Sequence, residues 1–239
     1  MSESRKSIIF AAGLAIVCSL ILTLAATALK PLKMHNMRVD MHRNILKSIR
    51  LIKPDQHYDD QWIEKTYKKN IKCLYMNKAG SIVKESNRDV SDLPLCLYQP
   101  KGDIKAYIIP INTRGLWGKI EGYLAFEKDG STVKGFTVYK HNETPGLGGE
   151  IEQAWFQENF QGKKIVNRSG KFVSISISKG SVPESLPEEK KINYVDGISG
   201  ATFTGKYLTV GFKDILLEYE PVSIKFRKYS GKVPESILQ

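Results

Sequence analysis

From Lys119 to Tyr139 the chain reads KIEGYLAFEKDGSTVKGFTVY, and this stretch indicates the fold more clearly than any other. It contains two runs with strand-like composition, residues 119–127 and 132–139, joined by a short polar turn that ends in Gly130. Such runs on either side of a glycine-containing turn are typical of a β-hairpin. The hairpin predicts that the domain is built on an antiparallel sheet.

Shorter strand-like runs and one helical segment lie around the hairpin. Residues 59–70 have helical patterning, with Asp59 or Asp60 as the N-cap. Residues 181–191 are rich in Pro, Glu and Ser and predict a surface loop. Together these elements predict an α+β domain. The remaining predicted strands are residues 73–76, 81–84, 95–98 and 104–109 before the hairpin, and 164–167 and 172–178 after it.

Near the N-terminus, residues 7–29 contain no charged side chain. At about 1.5 Å per residue, this run is long enough to cross a hydrocarbon core of roughly 30 Å. A cleaved signal peptide is the alternative, but its apolar region usually has only about 7 to 15 residues. We therefore expect a retained membrane anchor over residues 1–31, a helical stalk over 32–56 that Pro54 ends, and one domain over 57–239.

The chain is basic, with a formal net charge of +11. A basic balance can indicate nucleic acid or an anionic membrane surface as the partner. The basic residues are scattered and form no nucleic-acid motif, so we expect no nucleic-acid partner. The alternatives left are a membrane surface and a solvated basic surface without a specific partner. Lys and Arg are more numerous after the apolar run than before it, which by a local count would place the C-terminal side in the cytoplasm. That count loses force when a long domain follows, so it does not decide the orientation.

Three cysteines are too few for a disulfide framework. Cys18 lies in the apolar run, so only Cys73 and Cys96 could pair, and their spacing is not that of a metal site. The four histidines are scattered along the chain. We expect no metal ion, and the sequence leaves open whether the two cysteines meet.

Residues 196–204 read DGISGATFT, a glycine-rich turn that leads into an apolar-patterned segment up to Tyr219. A turn that enters a helix presents unpaired N–H groups and the positive end of the helix dipole, which suit a phosphate group. Gly200 and Ala201 are small enough to let a phosphate come close. The alternative is that Ser and Thr here only cap the helix. The P-loop lysine and the dinucleotide fingerprint spacing are missing, which disfavours nucleotide hydrolysis and NAD binding.

The same stretch resembles the flavinylation motif of FMN-binding domains, in which an acidic residue precedes Ser-Gly-Ala-Thr. The resemblance implies that a flavin transferase, using FAD, esterifies the FMN phosphate to the hydroxyl of Thr202. Thr204 is the less favoured acceptor. Four neighbouring residues are implied as further parts of the cofactor site: Asp196, Ser199, Gly200 and Ala201.

Residues 141–150 read HNETPGLGGE, a tight loop stiffened by Pro145 and made permissive by three glycines. On its own this loop could be only a connection from a strand to a helix. It is also similar to a loop in the FMN-carrying subunits of sodium-pumping NADH:quinone reductases and of the related Rnf complex. The resemblance implies flavin contacts from Glu143, Thr144 and Leu147, with the backbone around Gly146 and Gly148 shaping the pocket.

Residues 114–118 read RGLWG and lead into the hairpin. This turn looks like that of the quinone-reductase subunit, because its Rnf counterpart usually lacks the tryptophan. The resemblance implies that Trp117 stacks on or near the isoalloxazine ring. The alternative for Trp117 is a position in the core, which is more usual for a large aromatic residue after a turn.

The three motifs lie within residues 114–210 and occur in the expected order, so the chain resembles the family of FMN-carrying subunits of sodium-translocating NADH:quinone reductases. The resemblance implies a single-pass protein of the bacterial inner membrane, with an extracytoplasmic FMN-binding domain made of an antiparallel sheet and flanking helices. It also implies membership of a six-subunit complex that oxidises NADH, reduces a quinone such as ubiquinone and exports sodium. This chain would relay electrons through covalent FMN and would have no NADH site of its own.

One departure and two alternatives accompany this interpretation. Gly205 and Lys206 stand where the family more often has Ser, and a glycine in the first helical turn costs about 1 kcal/mol relative to Ala. One alternative keeps the flavin but assigns the chain to an Rnf-type complex or to a stand-alone electron carrier. The other is an anchored, non-catalytic binding domain whose glycine-rich loops are only turns.

Overall fold

The computed structural model describes residues 3–53, 56–83 and 85–229. The chain divides into two compact units, with the boundary between Met41 and His42. Helix α1 (Glu3–Ser48) runs through the predicted anchor and continues past Pro31. An 18-residue stretch of it has a mean hydropathy of 2.7 and no buried residue, so α1 is long and apolar enough to cross a membrane.

The C-terminal end of α1 belongs to the second unit. The predicted helix up to residue 51 ends at Ser48, and the role expected of Pro54 lies outside the described residues. Arg50 has φ +62°, the Arg50 N–H donates to the Lys47 carbonyl, and the Leu51 N–H donates to the Leu46 carbonyl at 3.0 Å. These two bonds form a Schellman motif, which satisfies the last carbonyl groups of the helix.

A six-stranded antiparallel sheet forms the centre of the second unit, with strand order β2-β1-β3-β4-β5-β6. The predicted hairpin is confirmed as β5 and β6, with Leu124 opposite Phe136. Strand β4 pairs with β5 along its whole length, from Ala106 to Arg114. The strands are β1 (Ile71–Met76), β2 (Ile82–Val83), β3 (Leu93–Tyr98), β4 (Ala106–Arg114), β5 (Lys119–Glu127) and β6 (Val133–Lys140).

Five further helices surround the sheet: α2 (Asp60–Asn70), α3 (Ala154–Glu158), α4 (Glu188–Lys191), α5 (Thr202–Glu218) and α6 (Glu220–Tyr229). Leu208, Phe212 and Leu216 of α5 are buried in the core. Burying an apolar side chain of this size stabilises a fold by about 1.5–3 kcal/mol. Gly211 lets α5 approach β4 closely, because a Cβ there would lie 1.8 Å from Thr113 Oγ1.

Two predicted strands after the hairpin are largely wrong. Residues 164–167 and 172–178 form only two isolated bridges, Thr132 with Lys164 and Val166 with Phe172, and a two-residue strand, β7 (Ser176–Ile177). Strand β7 pairs in parallel with β8 (Tyr194–Val195). Ser174 has φ +70°, which interrupts the extended backbone that the alternating pattern predicted. The loop predicted over residues 181–191 is irregular until α4 begins near its end.

The register between β1 and β3 resolves the question that the sequence left open about the cysteines. Cys73 lies directly opposite Cys96, and the two form a disulfide. The bond ties together two neighbouring strands far from the hairpin in sequence. Cys18 is exposed on α1 and is not part of a disulfide.

Candidate functional site

Helix α5 begins with its first N–H groups open to a ligand. Its N-cap residue, Ala201, has no side chain that can accept a hydrogen bond, and its first turn has no acidic residue. The first N–H groups of a helix have no partner within the helix and carry the positive end of its dipole. Thr202 and Phe203 are exposed there. The alternative that Ser or Thr side chains cap this helix is therefore wrong.

Thr204 lies in the same helical turn as Thr202, but its side chain is buried whereas that of Thr202 is exposed. It is 1% exposed, and its hydroxyl donates a hydrogen bond of 2.5 Å to Glu143 Oε2. Thr202 has an exposed hydroxyl at the open helix end, whereas the hydroxyl of Thr204 is already engaged. Of the two threonines, Thr202 is exposed and Thr204 is buried in a hydrogen bond.

Glu143 is the point where the three sequence motifs meet. It follows β6, is 4% exposed, and accepts the Trp117 N–H at Oε1 (3.0 Å) as well as the Thr204 hydroxyl at Oε2. Gly115 and Gly148 make room for this arrangement. A Cβ on Gly115 would lie 2.5 Å from Glu143 Oε1, and a Cβ on Gly148 would lie 2.5 Å from Thr204 Oγ1. One buried carboxyl group thus joins stretches that are far apart in the chain.

Hydrogen bonds within the loop from 141 to 150 fix its shape. The Glu143 N–H donates to His141 Nδ1 at 3.1 Å, so the other ring nitrogen carries the proton and donates to Glu152 Oε2 at 3.1 Å. The carbonyl of Thr144 accepts the N–H groups of Leu147 and Gly149. The side chain of Thr144 is exposed, and Gly146 has φ +73°, which favours glycine. The loop is therefore rigid at its base and accessible at its tip.

Leu147 of this loop contacts the turn before α5. Leu147 is 43% exposed, and a Cβ on Gly200 would lie 2.8 Å from its Cδ2. Gly200 also has φ +74°, so both its conformation and its contact require glycine. Leu147 therefore lies beside Gly200, just before the start of α5, and Ser199 in the same turn is exposed.

Trp117 stands out from the surface instead of packing in the core. It is 68% exposed, so the core alternative for this residue is wrong. A surface cleft of about 470 Å³ lies beside it, and the guanidinium of Arg114 sits 6.0 Å from the ring centre of Tyr207 on α5. The cleft is lined by Asn112, Thr113, Arg114, Leu116, Trp117, Gly118 and Lys119.

Asp196 has a different neighbourhood from the other predicted site residues. Its Oδ1 accepts the Val182 N–H at 2.6 Å, while the Gly197 N–H donates to the Gly180 carbonyl. Asp196 therefore fixes the surface loop against the glycine-rich turn. The structure brings Trp117, Glu143 and the first turn of α5 together and places Asp196 with the loop.

Sequence reasoning missed two residues of this site, His141 and Gly115. The sequence predicts no role for His141 beyond its place in the loop, and it indicates Gly115 only as part of a turn. The glycines in the 114–118 and 141–150 stretches were the available signal for this site, because a glycine often marks a place where another segment packs closely against the backbone. Within the described part of the chain, no group of three or more His, Cys, Asp or Glu side chains could hold a metal ion.

Comparison with known proteins identifies relatives of the whole chain and of the site. The FMN-binding domain family matches residues 115–216. This range contains the three motifs except for Arg114. NqrC of the Na(+)-translocating NADH-quinone reductase of Vibrio campbellii is 30% identical over 234 residues, covering 84% of this chain and 86% of that protein. The NqrC protein of Chlamydia muridarum is 44% identical over 128 residues. That alignment covers 50% of this chain and 40% of the chlamydial protein.

Two crystal structures have the same fold. NqrC from Parabacteroides distasonis gives a TM-score of 0.69 at 29% identity, covering 82% of this chain and 96% of that one. NqrC from Shewanella oneidensis gives a TM-score of 0.65 at 24% identity, covering 79% and 97%. This likeness confirms the predicted α+β class with an antiparallel sheet and flanking helices.

Proposed function

Because the chain belongs to the NqrC family of Na(+)-translocating NADH-quinone reductase subunits, we propose that it is the electron-carrying subunit of such a complex, with FMN held covalently on Thr202. Its FMN-binding domain makes FMN the cofactor. The covalent bond, the residue that carries it and the role in the complex are the content of the proposal.

The contrast between the two threonines of the first turn of α5 carries this proposal. Thr202 is exposed beside N–H groups that no side chain caps, whereas the hydroxyl of Thr204 is buried on Glu143. A helix N-terminus without a cap is suited to hold a phosphate. Thr202 is therefore the threonine whose phosphoester would place its phosphate at the positive end of a helix.

In the proposed attachment reaction, the Thr202 hydroxyl reacts with FAD. The Thr202 hydroxyl attacks the FMN phosphorus of FAD, the pyrophosphate bond breaks, AMP leaves and the hydroxyl proton is lost. A flavin transferase would catalyse this step and is a proposed partner. The phosphodiester that remains carries one negative charge, which the N–H groups at the start of α5 can stabilise by up to about 1 kcal/mol.

The remaining site residues fit a planar ring next to that phosphate. Trp117 offers an exposed aromatic face for stacking, and Leu147 offers an apolar edge beside Gly200. The backbone around Gly146 and Gly148 would line the pocket. The residues proposed to surround the phosphate are Ser199, Gly200 and Ala201, with Asp196 and Thr144 supporting the turn and the loop.

When bound, FMN supplies the ability to pass one or two electrons. This chain holds the cofactor at a fixed place, and its tether prevents loss to the surrounding solution. The relatives are named for NADH oxidation, quinone reduction and sodium transport, and we assign those activities to a six-subunit complex of which this chain is one member. The chain relays electrons between redox centres of its partner subunits and does not bind NADH itself.

We place the protein in the bacterial inner membrane, with α1 as a single-pass anchor and the domain on the periplasmic side. The disulfide between Cys73 and Cys96 supports this side, because disulfides persist in oxidising compartments and are rare in the cytosol. An alkaline phosphatase fused after residue 239 should be active in cells. An inactive fusion that is nevertheless made in full length would contradict the periplasmic placement.

In-gel flavin fluorescence tests the covalent attachment. The full chain is produced in membranes together with its flavin transferase, denatured in SDS and separated on a gel. We expect a fluorescent band and, by mass spectrometry, the mass of FMN minus water on the peptide that contains Thr202. Thr202→Val should remove both signals, and Thr202→Ser, which keeps a hydroxyl, should retain part of them. A modified Thr202→Val protein would overturn the assignment.

Purification of the fluorescent protein from its native membranes tests the complex. We expect the other five subunits of a Na(+)-translocating NADH-quinone reductase to be purified with it. Subunits of an Rnf-type complex would instead support the alternative in which the flavin is present but the partners differ. A chain without flavin despite an active transferase would leave the anchored binding domain as the function.

A further inference from the structure

The side chain of Glu143 is buried without a cation beside it. It is 4% exposed, and among residues 3–53, 56–83 and 85–229 it forms no ion pair with Lys, Arg or His. A buried carboxyl group is costly unless hydrogen bonds satisfy it. Two donors do so here, one on each oxygen: the Trp117 N–H at 3.0 Å and the Thr204 hydroxyl at 2.5 Å. The carboxyl group is thus a bridge between two other segments.

Both donors belong to segments that the proposed function assigns to the flavin. Trp117 offers its exposed ring, and its own backbone N–H is the group that Glu143 holds. Thr204 follows Thr202 by two residues in the same helical turn, and its side chain points to Glu143 while that of Thr202 is exposed. Glu143 is therefore one side chain that hydrogen-bonds both to the Trp117 turn and to the first turn of α5.

The packing around Glu143 is built for this bridge. Gly115 and Gly148 flank its two oxygens, and a Cβ at either position would collide with Glu143 or with Thr204. A third contact holds the main chain of Glu143, because its N–H donates to His141 Nδ1. Both carboxyl oxygens are engaged and enclosed, so Glu143 can act on the site through the two segments that it joins.

We propose that Glu143 is a positioning residue: it holds the Trp117 turn and the first turn of α5 in one fixed geometry, which presents Thr202 for flavin attachment and sets Trp117 against the bound ring. This inference rests on the proposed function, because it concerns the placement of the flavin. Without the bridge, the turn and the helix end move independently. Attachment then slows although Thr202 keeps its hydroxyl.

The test compares Glu143→Ala, Glu143→Gln and a control, Glu158→Ala, in the full chain with its flavin transferase. Glu143→Ala should slow the appearance of in-gel fluorescence by about tenfold or more, because two hydrogen bonds of a buried group are lost. Glu143→Gln should stay within about threefold, because an amide can accept from the Trp117 N–H and donate to the Thr204 oxygen. Glu158→Ala removes an exposed carboxyl group of α3, outside the hydrogen bonds that hold Glu143, and should behave as the unaltered protein.

Two further measurements separate positioning from folding. Circular dichroism should show that Glu143→Ala is folded, and the visible dichroism of the attached flavin should change, because the ring has lost its fixed contact with Trp117. A second variant, Thr204→Val, removes the hydroxyl donor to Glu143 and leaves the hydrogen bond from the Trp117 N–H. It tests the proposal if Glu143→Ala fails to fold. It should also slow attachment. Attachment at the unaltered rate in folded Glu143→Ala, or in Thr204→Val, would overturn the proposal.

Tryptophan fluorescence of the flavin-free protein keeps this test independent of the proposed function. In a Trp62→Phe, Trp155→Phe background, only Trp117 emits. Glu143→Ala should lower the emission anisotropy of Trp117, because its turn loses the hydrogen bond to Glu143, and Glu143→Gln should restore it. If the unaltered chain takes no flavin on Thr202, the proposed function fails, and unchanged anisotropy in Glu143→Ala shows that the positioning role fails.

Discussion

Helices α2 and α5 begin in opposite ways. At α2, the side chain of Asp59 accepts the Trp62 N–H at 2.7 Å, and Asp60 adds a negative charge to the first turn. At α5, Ala201 cannot cap the helix, and the first turn has no acidic residue. The longer helix, which lies against the centre of the sheet, is thus the one with the unsatisfied N-terminus.

This difference separates a helix end that its own side chains stabilise from one whose N–H groups no side chain caps. A side-chain cap stabilises a helix by about 1 kcal/mol, and α2 has it within its own sequence. Helix α5 forgoes that contribution, so its stability comes from the buried residues along its length. An anionic group that binds at its start would restore what the cap supplies elsewhere.

Among the variants that test this comparison, Gly200→Ala should have the largest effect on the rate of flavin attachment, with Gly170→Ala as its control. Both glycines have positive φ, +74° and +77°, so both variants should lose about 1 kcal/mol or more of unfolding free energy. Only Gly200 has a close neighbour, Leu147. Gly200→Ala should therefore slow flavin attachment by about tenfold, because Leu147 and the start of α5 must move apart.

Gly170→Ala is the matched control, because no atom lies within 4 Å of its Cβ position. It should lose stability in a thermal melt and keep the normal rate of attachment, measured by in-gel fluorescence. Equal attachment rates in the two variants would show that the turn before α5 does not depend on its contact with Leu147.

A smaller effect is expected from charge at the first turn of α5. Phe203 is 61% exposed, so Phe203→Glu gives α5 the acidic first turn that α2 has. The carboxylate should stabilise the flavin-free helix by about 0.3–1 kcal/mol and slow attachment about threefold to fivefold, because it competes with the phosphate.

Phe203→Gln is the neutral control for loss of the aromatic ring, and Phe203→Lys reverses the sign of the charge. Attachment should be slower in the Glu variant than in the Gln variant, and no slower in the Lys variant. The difference between Glu and Lys should shrink at 1 M salt, where the screening length is about 3 Å. A difference that is independent of salt would mean that the helix end does not act through its charge.

The smallest effect on attachment should come from Asp59→Ala. Loss of the cap of α2 should lower the unfolding free energy by about 1 kcal/mol, because the Trp62 N–H loses its acceptor. The rate of flavin attachment should not change. Urea unfolding of the flavin-free domain and in-gel fluorescence measure the two quantities, and slower attachment in this variant would show that the two helix ends are coupled.

Local patterns explain why several elements were predictable. The β5–β6 hairpin needs only two strand-like runs and a glycine turn, and α2 needs only an apolar face and an aspartate before it. The long apolar run of α1 and the start of α5 at Thr202 are likewise visible in neighbouring residues. The family resemblance rested on such short stretches, and the family is confirmed.

Other features depend on residues far apart in the chain. Residues 172–178 alternate like a strand, but the left-handed backbone of Ser174 breaks the run. The sequence pattern predicts no element for residues 220–229, yet they form α6, whose Val222 and Phe226 are buried in the core. The partner of Cys73 follows from the register between β1 and β3, which neither strand determines alone.

By itself, the sequence determined the long apolar run, the antiparallel hairpin, the glycine-rich turn into α5 and the family, because each depends on residues close together in the chain. Only the tertiary structure decided that Cys73 meets Cys96, that Trp117 is exposed, and that Thr204 is buried while Thr202 is free. It also showed that Glu143, which the sequence places in a loop, forms hydrogen bonds that link the three motifs. Packing brings distant segments together, and the local sequence does not specify which of their groups form hydrogen bonds with one another.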